Sequence, residues 1–222
     1  MKKDVVIKKI DKKDEKEKFN REIIVMKNIK CENSVEYYAH FEDKDSYYIV
    51  MEKCDEDLSK YIERNKGRIS EEMIKKILLQ LNEAFKIMRS KNIIHRDLKP
   101  QNILIKYISQ NNFIIKLADF GLSRVFNNKS FSTHAGSLGY SAPEQIDQTK
   151  NFEPTKCDLW SIGVIIYELK FNEVPVMAFY QGNIPETFED EDLDDLVRRL
   201  IVVDSNKRID WKDYFDHPFF KN

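Results

Sequence analysis

Ile94-His95-Arg96-Asp97-Leu98-Lys99-Pro100-Gln101-Asn102-Ile103-Leu104 is the stretch on which the reading of this chain turns. It places a carboxylate, a cation and a carboxamide between Asp97 and Asn102. Pro100 lies among them and forbids a regular helix. The apolar run Ile103-Leu104-Ile105 follows. This is the pattern of a loop that gathers polar groups at one point, with a short strand behind it. Downstream, Asp119-Phe120-Gly121 sets a further carboxylate in a further turn.

The remainder of the chain is able to enclose such a loop. Of 222 residues, 41% are hydrophobic and 12% aromatic, which supports a sizeable core and excludes global disorder. Charged residues make up 34% but sum to only −1 with the signs interspersed, which argues against nucleic acid as the main partner. No apolar run has the length of a membrane-spanning helix, so no membrane association is expected. Val5-Val6-Ile7 is too short for the core of a signal peptide. Cys31, Cys54 and Cys157 are far apart and lack metal-site spacing, which fits reduced thiols. A cytoplasmic location is expected, with the nucleus also open.

Moving outward, the β-branched run Val5-Val6-Ile7 predicts a strand ending at Lys8, with neighbouring Lys9 leaving the register open by one residue. Phe19, Ile23, Met26 and Ile29 recur at helical spacing over residues 14–30, with Glu22 beside the stripe. Residues 35–41 and 47–51 predict two strands around a polar turn. Ser70 caps a long helix whose first turn carries Glu71 and Glu72 and whose stripe runs from Met73 to Met88. Residues 103–105 and 113–117 predict a hairpin that runs into Asp119. Residues 122–141 are polar and hold Ser130, Ser132 and Thr133. Residues 157–167 are apolar on every face, as in a helix buried in the middle of a domain. Residues 170–195 form a short connection that ends in an acidic run, which reads as a solvated helix start or as a patch for basic substrates.

The ordered set Lys8, Glu22, His95-Arg96-Asp97, Asn102, Asp119-Phe120-Gly121, Ala142-Pro143-Glu144, Asp158 and Arg208 resembles the eukaryotic protein kinase family. Lys99 in the loop and Ser137 ahead of Ala142 resemble its serine/threonine-specific members. The resemblance implies an α+β, bilobal fold in one domain over residues 1–222. Residues 1–52 would be a partial small lobe of three antiparallel strands and one helix, starting at the family's third strand. Residues 53–222 would be a mainly helical lobe.

The implied activity is transfer of the γ-phosphate of ATP, with Mg²⁺, to serine and threonine hydroxyls of protein substrates. Such chemistry needs an aligned nucleophile and neutralised charge more than covalent work. Asp97 would be the catalytic base and Lys99 would neutralise the γ-phosphate. Asn102 and Asp119 would hold the metal through oxygen. Lys8 would grip the α/β-phosphates and Glu22 would fix Lys8. The adenine would meet the gatekeeper Met51, the backbone of Glu52 and Cys54, and Leu104 beneath its ring. Asp57 would reach the ribose or remain a solvated carboxylate. His95, Phe120, Glu144, Asp158 and Arg208 would be structural, with Asp158 bracing the loop and Glu144–Arg208 forming a buried ion pair. Arg96 implies activation by an upstream kinase at Ser130, Ser132 or Thr133, because bidentate arginine–phosphate bonds order a loop.

One family feature is not written in these residues. Gly67, Gly121, Gly136, Gly139, Gly163 and Gly182 are the six glycines, and no Gly-x-Gly-x-x-Gly exists to close over a nucleotide. Each lost backbone bond to phosphate would weaken ATP binding by about tenfold or more. The strand at residues 5–8 would become an exposed edge. Three readings of the whole stay open. The chain is a segment of a longer active kinase with Met1 internal, a short protein of weak or conditional activity, or a non-catalytic, pseudokinase-like binding or scaffold module.

Overall fold

The computed structural model describes residues 4–13, 15–66, 69–110, 112–126, 136–147 and 153–221. In chain order the elements are β1 (Val5–Asp11), α1 (Lys16–Asn28), β2 (Tyr37–Glu42), β3 (Ser46–Glu52), β4 (Glu56–Asp57), α2 (Leu58–Asn65), α3 (Glu71–Ser90) and β5 (Ile93–Ile94). There follow β6 (Ile103–Ser109), β7 (Asn112–Leu117), β8 (Arg124–Val125), α4 (Pro143–Ile146), α5 (Cys157–Phe171), α6 (Val176–Tyr180), α7 (Glu191–Leu200) and α8 (Trp211–Phe215). This is an α+β fold with a small antiparallel sheet ahead of a mainly helical body.

The small sheet has the order β1-β3-β2. β3 is central, and its pairing with β1 runs from Val5–Glu52 to Asp11–Ser46. Phe19, Ile23 and Met26 form the buried stripe of α1, and the Phe19 ring stacks on Tyr47 of β3 at 4.4 Å. That contact fixes α1 beneath the sheet and sets where Glu22 points. β1 lies at the edge, and Val5, Val6 and Ile7 are exposed on it.

The helical body forms around α5. Nearly every residue of α5 from Cys157 to Leu169 is buried, as an all-round apolar helix requires. Gly163 is the point of closest approach by α7. A Cβ there would come within 2.8 Å of both Leu200 Cβ and Ile201 Cγ1. α3 packs its stripe against this core, and Ser70 caps it by accepting from the Met73 amide at 3.2 Å.

Several bounds differ from the sequence reading for local reasons. The first strand of the 103–117 hairpin extends to Ser109 rather than Ile105. The helix read over residues 14–30 runs from Lys16 to Asn28. Helix α2 has no counterpart in the sequence reading, although Asp57 announces it. The Asp57 side chain accepts from the Lys60 amide at 3.1 Å, an N-cap. The connection after α5 holds only the five-residue α6. The acidic run that follows begins α7, with Asp190 as the N-cap. Asp194 and Asp195 pair with Arg198 and Arg199 at 2.6 and 2.8 Å, one turn on.

Candidate active site

Strand alternation sends Lys8 and Lys9 to opposite faces of the sheet. Lys8 Nζ lies 2.7 Å from Glu22 Oε1 and 2.9 Å from Asp119 Oδ1. Lys9 is exposed. The structure therefore brings Lys8, not Lys9, to Glu22, and adds Asp119 as a second partner. Burial pushes the Glu22 carboxyl up, and Lys8 opposes this only in part. Burial alone would push the Lys8 ammonium down, but Glu22 and Asp119 outweigh it and hold Lys8 above its ordinary value. Asp119 also carries a burial cost, yet Lys8 and the Gly121 N–H keep its carboxyl below the usual range. Asp119 adopts the left-handed φ of +57° that turns its carboxylate toward Lys8.

The loop from His95 to Asn102 is held from behind. Asp158 is buried at the start of α5 and accepts from the amides of His95 at 2.7 Å and Arg96 at 2.8 Å. Burial pushes its carboxyl up, and those two amides work against the shift. Arg96 takes φ +71°, and its carbonyl accepts from Gln145 Nε2 at 3.1 Å. Gly136 must come close here. Its φ is +118°, and a Cβ would lie 2.9 Å from the Arg96 carbonyl oxygen. The buried His95 ring accepts from the Asp97 amide at Nδ1 and donates from Nε2 to the Ala118 carbonyl, at 3.4 and 3.0 Å. Phe120 is fully buried with its ring centroid 5.3 Å from that of His95. The Ala118 amide in turn donates to the Asn102 carbonyl at 2.9 Å. Asp119 and the loop are thereby set as one unit.

At the loop's surface the polar groups converge on Asp97. Its Oδ1 accepts from the Ser137 hydroxyl at 2.8 Å. Its Oδ2 accepts from Asn102 Nδ2 at 3.0 Å and faces Lys99 Nζ at 3.2 Å. Lys99 also donates to Ser137 Oγ at 2.6 Å. Farther out, Arg208 is fully buried over Trp160 and makes a bidentate pair with Glu144 at 2.6 and 2.9 Å.

A lysine held by a helix glutamate, a braced loop carrying Asp97, Lys99 and Asn102, and Asp119 in the turn beside them are the parts of a phosphoryl-transfer site. The sequence profile of the protein kinase domain matches residues 1–220. The chain belongs to the protein kinase domain family. It is 34% identical over 91% of its length to serine/threonine-protein kinase atg1 of Dictyostelium discoideum. It is 36% identical over 90% of its length to serine/threonine-protein kinase ULK1 of Homo sapiens. An Aurora kinase of Yarrowia lipolytica is 32% identical over 90% of the chain. The matched region spans 32%, 21% and 56% of those proteins, respectively.

The segment that joins the sheet to the helical body of this kinase domain carries Met51, Glu52 and Cys54. Met51 and Cys54 are half-buried against the core, and burial pushes the Cys54 thiol up to about 11. The Glu52 side chain faces inward between Lys106 and Lys116, at 2.5 and 2.8 Å. Leu104 pairs across β6 with Asp57 and Lys116. Asp57 is engaged as the cap of α2, with Ser59 and Lys60 as further partners. Its carboxylate is thus engaged at the start of α2 rather than simply solvated.

Protein kinases use ATP and Mg²⁺, and the donors here suit a hard cation. Asn102 Nδ2 is spent on the carbonyl and carboxylate of Asp97, which leaves the amide oxygen as an acceptor. Asp119 supplies a carboxylate in the adjoining turn. Among the described residues no group of three His, Cys, Asp or Glu could hold an ion by itself. Mg²⁺ takes few protein oxygens and shares phosphate oxygens.

Two arginines escaped the sequence reading. Burial pushes the Arg96 guanidinium down, and the like charge of Arg21 on α1 adds to the shift. Arg124 of β8 pairs with Ile94, just before the loop, and its Nη1 is buried with no hydrogen-bond partner among the described residues. No short motif joins Arg21 to Arg96, because α1 reaches the loop only through tertiary packing. Ser130, Ser132 and Thr133 lie outside the described residues.

Proposed function

We propose that the chain catalyses transfer of the γ-phosphate of ATP to serine and threonine hydroxyls of proteins. The observation that carries this is the convergence on one carboxylate, Asp97, of Ser137, Lys99 and Asn102, beside the Lys8–Glu22–Asp119 cluster. Asp97 holds a hydroxyl within hydrogen-bond reach, as a base that aligns an alcohol must. Lys99 sits beside that hydroxyl, where it would offset charge on a transferred phosphoryl group. Lys8 is kept protonated by two carboxylates and would hold the α/β-phosphates. Asn102 and Asp119 would hold Mg²⁺, which supplies charge neutralisation between the phosphates. The backbone of Glu52 and Cys54 would meet the adenine edge, with Met51 and Leu104 as apolar neighbours.

The reading extends to regulation. Arg21 and Arg96 bring like charges together at the loop, and a phosphate on the following segment would add an opposite charge there. Ser130, Ser132 and Thr133 are the candidate acceptors for an upstream kinase. The three unpaired cysteines support a reducing, cytoplasmic setting.

The test is Mg²⁺-dependent transfer of labelled phosphate from ATP to a basic protein, with Asp97→Asn as the control. Loss of about 100-fold or more in the variant is expected for removal of a general base. Equal transfer by both proteins would overturn the reading. Nucleotide binding without any transfer would favour the scaffold alternative. Alanine at Ser130, Ser132 and Thr133 together tests the regulatory part, and unchanged activity would end it.

A further inference from the structure

Glu52 closes β3, and the chain passes into the helical body over Lys53 and Cys54. Beyond them, Asp55 is anchored to β6 twice. Its amide donates to the Ile105 carbonyl at 2.9 Å, and its Oδ2 accepts from the Tyr107 amide at 2.7 Å. The near end is anchored by different means. Glu52 is buried, with its side chain turned inward. Oε1 meets Lys106 Nζ of β6 at 2.5 Å, and Oε2 meets Lys116 Nζ of β7 at 2.8 Å. Oε2 also accepts from the Glu36 amide at 3.3 Å. Lys116 is itself buried and donates to the Glu32 carbonyl at 2.8 Å, in the turn between α1 and β2.

The Glu52 carboxylate and the Lys116 ammonium are withdrawn from water and cost free energy unless their geometry is well matched, while Lys106 stays partly exposed. Burial alone would push the Glu52 carboxyl up, yet Lys106, Lys116 and the Glu36 amide hold it below the usual range. The tie therefore favours the ionised form of the Glu52 carboxylate. It joins two sheets that share no strand pairing, β1-β3-β2 and β4-β6-β7. Only Lys53 and Cys54 are left between its two anchors.

We propose that Glu52 is a positioning residue whose carboxylate, clamped between Lys106 and Lys116, presets the backbone that receives the adenine. The inference rests on the ATP-dependent reading above and deepens it. Lys116 carries the same constraint to the α1–β2 turn, so the back of α1 and the adenine edge are set together. A backbone fixed before the ligand arrives spares the ordering cost of binding. Glu52 touches no reacting group, so its effect falls on nucleotide affinity and not on the transfer step.

The experiment compares the whole chain with Glu52→Gln, Lys106→Met and the charge-balanced double variant Glu52→Gln/Lys116→Met. ADP binding is measured by calorimetry, and steady-state KM and kcat are measured with ATP and a basic protein. For Glu52→Gln, KM for ATP and Kd for ADP are expected to rise about three- to tenfold, with kcat and KM for the protein substrate within twofold, as lost preorganisation predicts. Lys106→Met, which leaves the Lys116 pair in place, should show a smaller rise, and Glu52→Asp should recover part of the loss. A variant that merely folds less well lowers apparent kcat and leaves KM for ATP unchanged. The double variant leaves no unpaired buried charge and serves if Glu52→Gln does not fold. Unchanged nucleotide affinity in folded Glu52→Gln or in the double variant would overturn the proposal, as would tighter binding. If the wild-type chain binds no nucleotide, the ATP-dependent reading fails first, and that result is distinct from equal binding by wild type and variants.

Discussion

Two ion pairs in this molecule use the same chemistry for opposite ends. Arg208 and Glu144 face each other through two parallel bonds at 2.6 and 2.9 Å, and neither side chain exceeds 7% exposure. The remaining Arg208 donors reach the carbonyls of Val202 and Lys156. Lys8 by contrast is 29% exposed, divides its charge between Glu22 and Asp119, and leaves the buried Glu22 Oε2 without a hydrogen-bond partner among the described residues. The first arrangement is saturated and has one low-energy geometry. The second has spare valence and open access, so an incoming anion can displace one carboxylate from Lys8 without stranding the other. The difference separates a pair that holds the fold from one that serves a site.

The sharpest way to break that comparison is to cut each pair from one side. Arg208→Leu should cost about 3–5 kcal/mol of unfolding free energy, because Glu144 remains buried and uncompensated. Urea denaturation checks this, and a loss under 1 kcal/mol would place the pair with the exposed, weakly contributing ones. Lys8→Met should lower phosphate transfer by about 100-fold, roughly 2.7 kcal/mol of barrier, while the urea midpoint falls less than in Arg208→Leu, because the Glu22 carboxyl is already pushed up by burial and can take a proton. If the midpoint falls as far as in Arg208→Leu, the distinction collapses. Gly163→Ala tests the packing around the first pair without touching a charge. The added methyl meets Leu200 and Ile201 at 2.8 Å, and overpacking of that kind costs about 1–3 kcal/mol by the same urea measurement.

The smallest effect is in pH dependence. Asp119 has its carboxyl held low in the folded state, so its contribution to stability is present above its unfolded value of 3.8 and lost as pH falls through the folded value. Glu22 acts in the opposite sense. Its folded value is raised, so its contribution favours the fold below 4.5 and is lost as pH rises through the folded value. Asp119→Asn should therefore flatten the acid limb of a stability–pH profile only at and below the Asp119 range. A change confined to neutral pH would contradict the assigned contacts.

The catalytic loop was legible in the sequence because its parts are neighbours along the chain. His95 to Asn102 and Asp119 to Gly121 need only local turns to present their groups. The pairing of Lys8 with Glu22 was read from the resemblance to the kinase pattern, with strand periodicity leaving Lys9 open, and Asp119 as a second partner of Lys8 was not read. Helix α2 was missed despite a readable signal, an aspartate just ahead of Leu58 and Ser59. The inward Glu52 clamp and the approach of Arg21 to Arg96 left no such signal. Each draws on separate elements, and a charged residue in a strand gives no sign of whether it faces water or another charge.

The Ser137 hydroxyl rests on Asp97 Oδ1 at 2.8 Å and accepts from Lys99 at 2.6 Å. In the resting molecule, then, an alcohol of the protein's own already occupies the seat that a substrate alcohol would take. A visitor does not have to strip water from a bare carboxylate. It exchanges one O–H···O⁻ bond for another of the same kind, a nearly even trade in enthalpy, and discrimination falls to whatever else the visitor brings to the surrounding surface.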